Sequence, residues 1–207
     1  MMVHVKSKGT TRTGSTLMRL VLLEVLKGTD YQFDDNDSSR AGGSIGRGTK
    51  AVFTVRNPYD SLVSYIRVMN NFDEVPGMEV INSSAVSSAK TIASQYGRVS
   101  KMMEHPDKLI LKYEKFHNNW YWLKSELERY FGIKIEEELW EKIKKENSKK
   151  SIREEQGKLG DFRDSNDRLV HGKHVLRGSN DWRSDLADVM DEVKPILDDY
   201  YMFWKGL

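Results

Sequence analysis

The sequence predicts an α/β domain with a central parallel sheet flanked by helices. Three observations predict it. Short apolar or β-branched runs alternate with longer helical patterns along the 207 residues, the order expected of strands joined by crossover helices. The length suits one domain, spanning 1–207. A segment rich in Gly, Thr and Ser, residues 7–16, stands between the first strand candidate and an apolar helix candidate.

The elements follow in order. Residues 3–6 form a β-branched stretch suited to a short strand. Residues 17–26 are apolar almost all round and lack internal breakers, so they read as a buried helix ending near Gly28. Residues 29–50 are rich in Asp, Ser and Gly without a period, as in a loop or flap. Residues 51–55, Ala-Val-Phe-Thr-Val, read as a buried strand. Asn57-Pro58-Tyr59-Asp60 breaks it and opens a helix, with Asp60 placed as the cap ahead of Leu62, Val63, Tyr65 and Ile66. Residues 83–104 have helical propensity and read as exposed. Residues 109–113 are a third strand, and 120–131 a helix closed by Gly132. Seven acidic and seven basic residues in 136–158 favour a solvated helix face with paired charges. Leu186, Val189, Met190, Val193 and Leu197 recur at helical spacing, with a break or kink expected at Pro195.

Composition excludes several functions. The 33 Lys+Arg nearly balance 31 Asp+Glu, a formal charge of +2, which argues against a nucleic-acid wrapper. With no cysteine there is no disulfide scaffold, thiolate metal site or Cys nucleophile. No apolar run approaches the ~18 residues of a membrane span, and the leading residues lack a signal-peptide core. A cytoplasmic chain without membrane attachment is the expectation.

Gly9-Thr10-Thr11-Arg12-Thr13-Gly14-Ser15-Thr16 matches the phosphate-loop pattern G-x-x-x-x-G-K-S/T at every specified position except one, where Ser15 replaces lysine. Backbone amides converging on an anion, glycines allowing close approach and the helix dipole give such a loop its affinity. The missing lysine argues against a P-loop nucleotide kinase or NTPase, as does Arg56 where a magnesium-binding Asp would end the buried strand. Magnesium-dependent ATP turnover would favour that class after all. A non-catalytic nucleotide- or RNA-binding module would instead show salt-dependent oligonucleotide binding.

The chain resembles the sulfotransferases that use 3′-phosphoadenosine 5′-phosphosulfate (PAPS). Arg12-Thr13-Gly14-Ser15-Thr16-Leu17 is similar to their 5′-phosphosulfate loop, basic–Ser/Thr–Gly–Ser/Thr–Ser/Thr–hydrophobic. Arg56-Asn57-Pro58-Tyr59-Asp60, with Ser64 four residues on, resembles their 3′-phosphate motif R-N/D-P-x-D-x-x-x-S, the most specific signal in the sequence. Arg56 and Ser64 could both reach one phosphate, by charge and by a hydroxyl donor. Lys112-Tyr113-Glu114-Lys115-Phe116 resembles the strand-end segment whose tyrosine lies near the adenine. Arg177-Gly178-Ser179-Asn180-Asp181-Trp182-Arg183 resembles a shortened copy of the carboxy-terminal segment whose Arg and Gly return to the 3′-phosphate; its second basic residue is missing, with Lys173 a substitute.

The resemblance implies a three-layer P-loop-like fold and sulfuryl transfer from PAPS to a hydroxyl or amine, leaving adenosine 3′,5′-bisphosphate, with no metal. Arg12 would stabilise the sulfuryl and bridging oxygens. Thr13, Gly14, Ser15 and Thr16 would hold the 5′-phosphate, Arg56, Ser64, Arg177 and Gly178 the 3′-phosphate, and Tyr113 would lie by the adenine. The base that takes the acceptor proton falls among Asp34, Asp35 and Asp37, with Asp35 preferred; His171 and His174 precede Arg177 and could approach the donor. The acceptor would be a small molecule or a glycan, its pocket built from loops such as 28–50 and 70–84. Trp120, Tyr121 and Trp122 read as core beside Leu123 and Leu127. Tyr200, Tyr201, Phe203 and Trp204 read as a core cap or a homodimer contact.

Overall fold

The computed structural model describes residues 2–34, 43–70, 78–159 and 181–207. Four strands are present among them: β1 Val3–Gly9, β2 Tyr31–Phe33, β3 Lys50–Val55 and β4 Lys108–Lys112. The helices are α1 Ser15–Val25, α2 Pro58–Met69, α3 Met78–Met102, α4 Tyr113–Phe116, α5 Trp120–Phe131, α6 Glu137–Glu146, α7 Lys149–Gln156, α8 Trp182–Asp185 and α9 Met190–Gly206. The described residues group into two compact units, those within 1–55 and 99–151, and those within 56–98 and 152–207.

The first unit holds the sheet, all parallel, in the order β2-β1-β3-β4. Every residue of β3 from Ala51 to Val55 is buried, as a parallel strand covered on both faces must be, and this explains its unbroken apolar run. Val5, Val52, Leu109 and Leu111 point to one face and meet Met18, Val21, Leu22 and Val25 of α1 in a single core. Leu123, Leu127 and Phe131 of α5 and Trp140 and Ile143 of α6 complete it. Asn119 caps α5 by accepting from the Trp122 amide at 2.9 Å, and Gly132 ends it in the left-handed conformation, φ 66. Trp120 and Trp122 pack on this core while Tyr121 is exposed. The charge-balanced stretch forms α6 and α7; Trp140 and Ile143 nonetheless put one side of α6 fully inside.

One expectation changes here. The stretch 29–50 is not all loop: Tyr31–Phe33 pairs in parallel with β1 as a three-residue edge strand. Its run is too short to show a period, and it is recognisable only through its partner.

The second unit is helical. Tyr59, Leu62, Val63 and Ile66 of α2 form a core with Ile81, Ala85, Ala89, Ile92 and Tyr96 of α3, and with Leu186, Val189, Val193 and Leu197. The reading of 83–104 as an exposed helix is therefore corrected. The buried stripe of α3 is narrow, with two small alanines among its five core positions, and the Ser, Asn and Lys residues between them hide it in the segment's hydropathy. The α2 cap is also corrected: Asn57 caps, accepting from the Tyr59 amide at 3.0 Å, and Asp60 lies in the first turn. Pro58 takes the first helical position, where a missing N–H costs nothing. Helix α9 runs through Pro195 without a break; five residues inside the helix, the proline removes one bond to the first turn only.

Candidate active site

The loop after β1 is shaped by close contacts within the first unit. A Cβ on Gly9 would fall 2.2 Å from the Thr54 hydroxyl, so only glycine fits there. Thr13, fully buried, donates to the Thr10 carbonyl at 2.7 Å and shares a hydrogen bond with the Thr54 hydroxyl at 3.0 Å. Arg12 and Gly14 both adopt left-handed backbone, φ 63 and 76. Arg12 is the only non-glycine residue with positive φ among the described residues, at a cost of roughly 1–2 kcal/mol. Left-handed residues set one apart curl the chain into the kind of concave amide receptor that anions occupy.

Gly14 is constrained a second time. A Cβ there would lie 2.9 Å from both the Phe116 and Tyr113 rings. Tyr113, the first residue of α4, thus packs directly on the loop; its ring stacks on His117 at 4.5 Å. Helix α1 starts at Ser15 with the Met18 amide bonded to the Gly14 carbonyl at 2.9 Å. No side chain caps its amino end, which leaves first-turn amides and the positive end of the dipole available to an anion. Thr10 Oγ1 is buried in the same loop with no protein partner among the described residues. Desolvation and the neighbouring Lys115 lower the pKa of the Lys112 ammonium, against the pull of Glu114.

The second unit begins at the residue that follows β3. Arg56 is half-buried, and Ser64, buried, stands eight residues on along α2. The main chain of Arg56 is held by Tyr96 of α3: the Tyr96 hydroxyl donates to the Arg56 carbonyl and accepts from the Arg56 amide, the latter at 3.3 Å. Trp182 stacks on Tyr59 with ring centroids 4.6 Å apart and 16° between planes, and Tyr201 lies edge-on to both.

The Tyr59 hydroxyl reaches Asp198 at 3.4 Å. Burial first, and then the Asp198 carboxylate, push its pKa from 10.0 up to about 12. The unfolded chain gives up this proton near pH 10 while the folded chain keeps it to about 12. Stability is therefore full below pH 10 and falls as pH rises through that window. Melting temperatures measured from pH 9 to 12 should decline, and Tyr59→Phe should flatten the decline. An unchanged slope in that variant would remove Tyr59 as its cause.

Residues 45–197 match a family model described as a sulfotransferase domain. The chain belongs to that family. The matched span includes Arg56, Ser64 and Tyr113, and the loop 9–16 lies ahead of it. Among solved structures, mouse sulfotransferase SULT7A1 complexed with PAP is similar, with a TM-score of 0.58 at 12% identity over 99% of this chain and 87% of that one. At that identity it is the fold that is shared, and it agrees with the predicted α/β architecture and central parallel sheet. No curated protein matches.

In this sulfotransferase, Arg12, Thr13, Gly14, Ser15 and Thr16 fall in or just after the left-handed turns of the loop, and Tyr113 is brought against Gly14. Arg56 and Ser64 stand at and beyond the start of α2. Asp35, Arg177 and Gly178 lie outside the described residues, as do Asp37, His171, Lys173 and His174. Asp34 is described: its half-exposed carboxylate lies 3.7 Å from Lys6 Nζ, a surface pairing worth little. Sequence reasoning missed Tyr96 and the Tyr59–Trp182 stack. Tyr59 occupies a free position of the R-N-P-x-D motif, and nothing in a motif shows which residue supports it from another helix. Among the described residues, no helix is long and apolar enough to cross a membrane.

Proposed function

We propose that this sulfotransferase moves the sulfuryl group of PAPS onto a hydroxyl or amine of a small-molecule or glycan acceptor and releases adenosine 3′,5′-bisphosphate. What supports the donor most is the loop itself: left-handed Arg12 and Gly14 ahead of an uncapped helix start. The residues present suit such a group. Thr10 Oγ1 is a buried polar atom without a protein partner among those described, and the missing side chain at Gly14 lets the Tyr113 ring approach the loop.

PAPS, when bound, supplies a sulfuryl group on a phosphate leaving group. Amides of residues 13–16 and the Ser15 and Thr16 hydroxyls would hold the 5′-phosphate, and Tyr113 would line the adenine side. Arg56 and Ser64 would bind the 3′-phosphate, joined by Arg177 and Gly178. Arg12 would stabilise charge as it builds on the bridging oxygen, where positioning and electrostatics supply most of the rate. Asp35 is proposed as the base that takes the acceptor proton. Incubation with sulfur-labelled PAPS and a panel of phenols, alcohols, amines and glycans, scored by mass spectrometry, should place label on an acceptor and liberate bisphosphate. Failure of every acceptor, together with absence of bisphosphate binding, would sink the donor assignment.

A further inference from the structure

We infer that Tyr96 is a positioning residue for the 3′-phosphate: its hydroxyl fixes the main chain of Arg56 and so aims the guanidinium. The inference rests on the donor reading above and adds to it a residue outside every recognised motif. Arg56 is the residue at which sheet pairing has ended, the last pair being Val55 with Lys112. The helix cap begins one residue later, at Asn57. At this junction the Tyr96 hydroxyl holds both peptide groups of one residue, accepting from the amide and donating to the carbonyl.

Tyr96 is itself set firmly. It is 1% exposed in the core of the second unit. Its ring meets that of Tyr200 on α9, with centroids 5.8 Å apart. Gly97 leaves room for the partner: a Cβ there would sit 3.2 Å from the Tyr200 hydroxyl. The direction of the Tyr96 hydroxyl is thus fixed by the packing of α3 against α9. An arginine gives up much rotamer freedom when it grips a phosphate, and its fork binds well only from a defined root. Holding the Arg56 main chain removes one source of that disorder before the ligand arrives.

The test is the ratio of the Kd for AMP to the Kd for adenosine 3′,5′-bisphosphate, measured by calorimetry. Tyr96→Phe keeps the ring and removes the hydroxyl. The ratio should fall by roughly tenfold, the size of a buried hydrogen-bonded pair, with AMP affinity unchanged. Tyr200→Phe should leave the ratio as in wild type, and in an Arg56→Ala background Tyr96→Phe should change nothing further. A Tyr96→Phe ratio equal to wild type, or equal losses for both nucleotides, would overturn the positioning role. A wild-type ratio near one would overturn the assignment of Arg56 and Ser64, and this inference with it. If Tyr96→Phe does not fold, amide exchange on the wild-type chain decides. Slow exchange at the Arg56 amide without nucleotide supports the clamp, and exchange at the rate of an open loop rejects it.

Discussion

Arg56→Ala is expected to remove most of the rise in melting temperature that adenosine 3′,5′-bisphosphate gives the wild-type chain. At ligand a hundredfold above Kd, that rise corresponds to about 2.7 kcal/mol, roughly 5–10 °C for a chain of this size. The substitution removes a charged, forked donor to the 3′-phosphate, so affinity should weaken by about a hundredfold. The fold should tolerate it. Both bonds from the Tyr96 hydroxyl use the Arg56 main chain, which alanine keeps, and the Asn57 cap lies one residue beyond. AMP, which lacks the 3′-phosphate, should stabilise wild type and variant alike. Equal stabilisation of the wild type by AMP and by bisphosphate would remove Arg56 and Ser64 from the donor site.

Arg12→Ala is expected to lower kcat by about 10²–10³-fold, the usual loss when a group that stabilises developing charge is deleted. Bisphosphate affinity should stay within a few fold, because that product lacks the sulfuryl group. The backbone at Arg12 supplies an internal control. With φ 63, glycine suits the position better than alanine, so Arg12→Gly should be the more stable of the two by roughly 0.4–1 kcal/mol. Both should be equally impaired in transfer, and Arg12→Lys should recover part of the rate. Recovery of activity in Arg12→Gly would show that loop shape, rather than the guanidinium, carries the effect.

Where one segment carried its own signal, the sequence was readable. The 120–131 helix is bounded by an Asn cap and a left-handed glycine, both local devices, and it forms over those residues. The β3 run is apolar throughout because both of its faces are covered, and burial leaves that mark directly on composition. The phosphate loop was legible for the same reason: its glycines answer to backbone angles and close contacts within a few residues.

What stayed hidden depends on partners distant in sequence. Tyr31–Phe33 becomes a strand only because β1 is beside it. Tyr96 reaches a residue forty positions away, and the narrow α3 stripe on which it sits is diluted by the polar residues between its core positions. Asp60 and Asn57 are both good caps by residue type, and the choice between them is decided by where Pro58 lets the first turn begin.

The short β2 and the lysines of β4 bear on how this molecule meets its own copies. Among the described residues the sheet is bounded by a three-residue strand on one side. On the other lies Lys-Leu-Ile-Leu-Lys, with a cation at each end. An exposed strand edge is a template for adding another chain, and short edges and lysines are what blunt it. At high concentration during folding or expression, these edges offer little to an incoming strand. Self-association by extension of the sheet is disfavoured at these two edges.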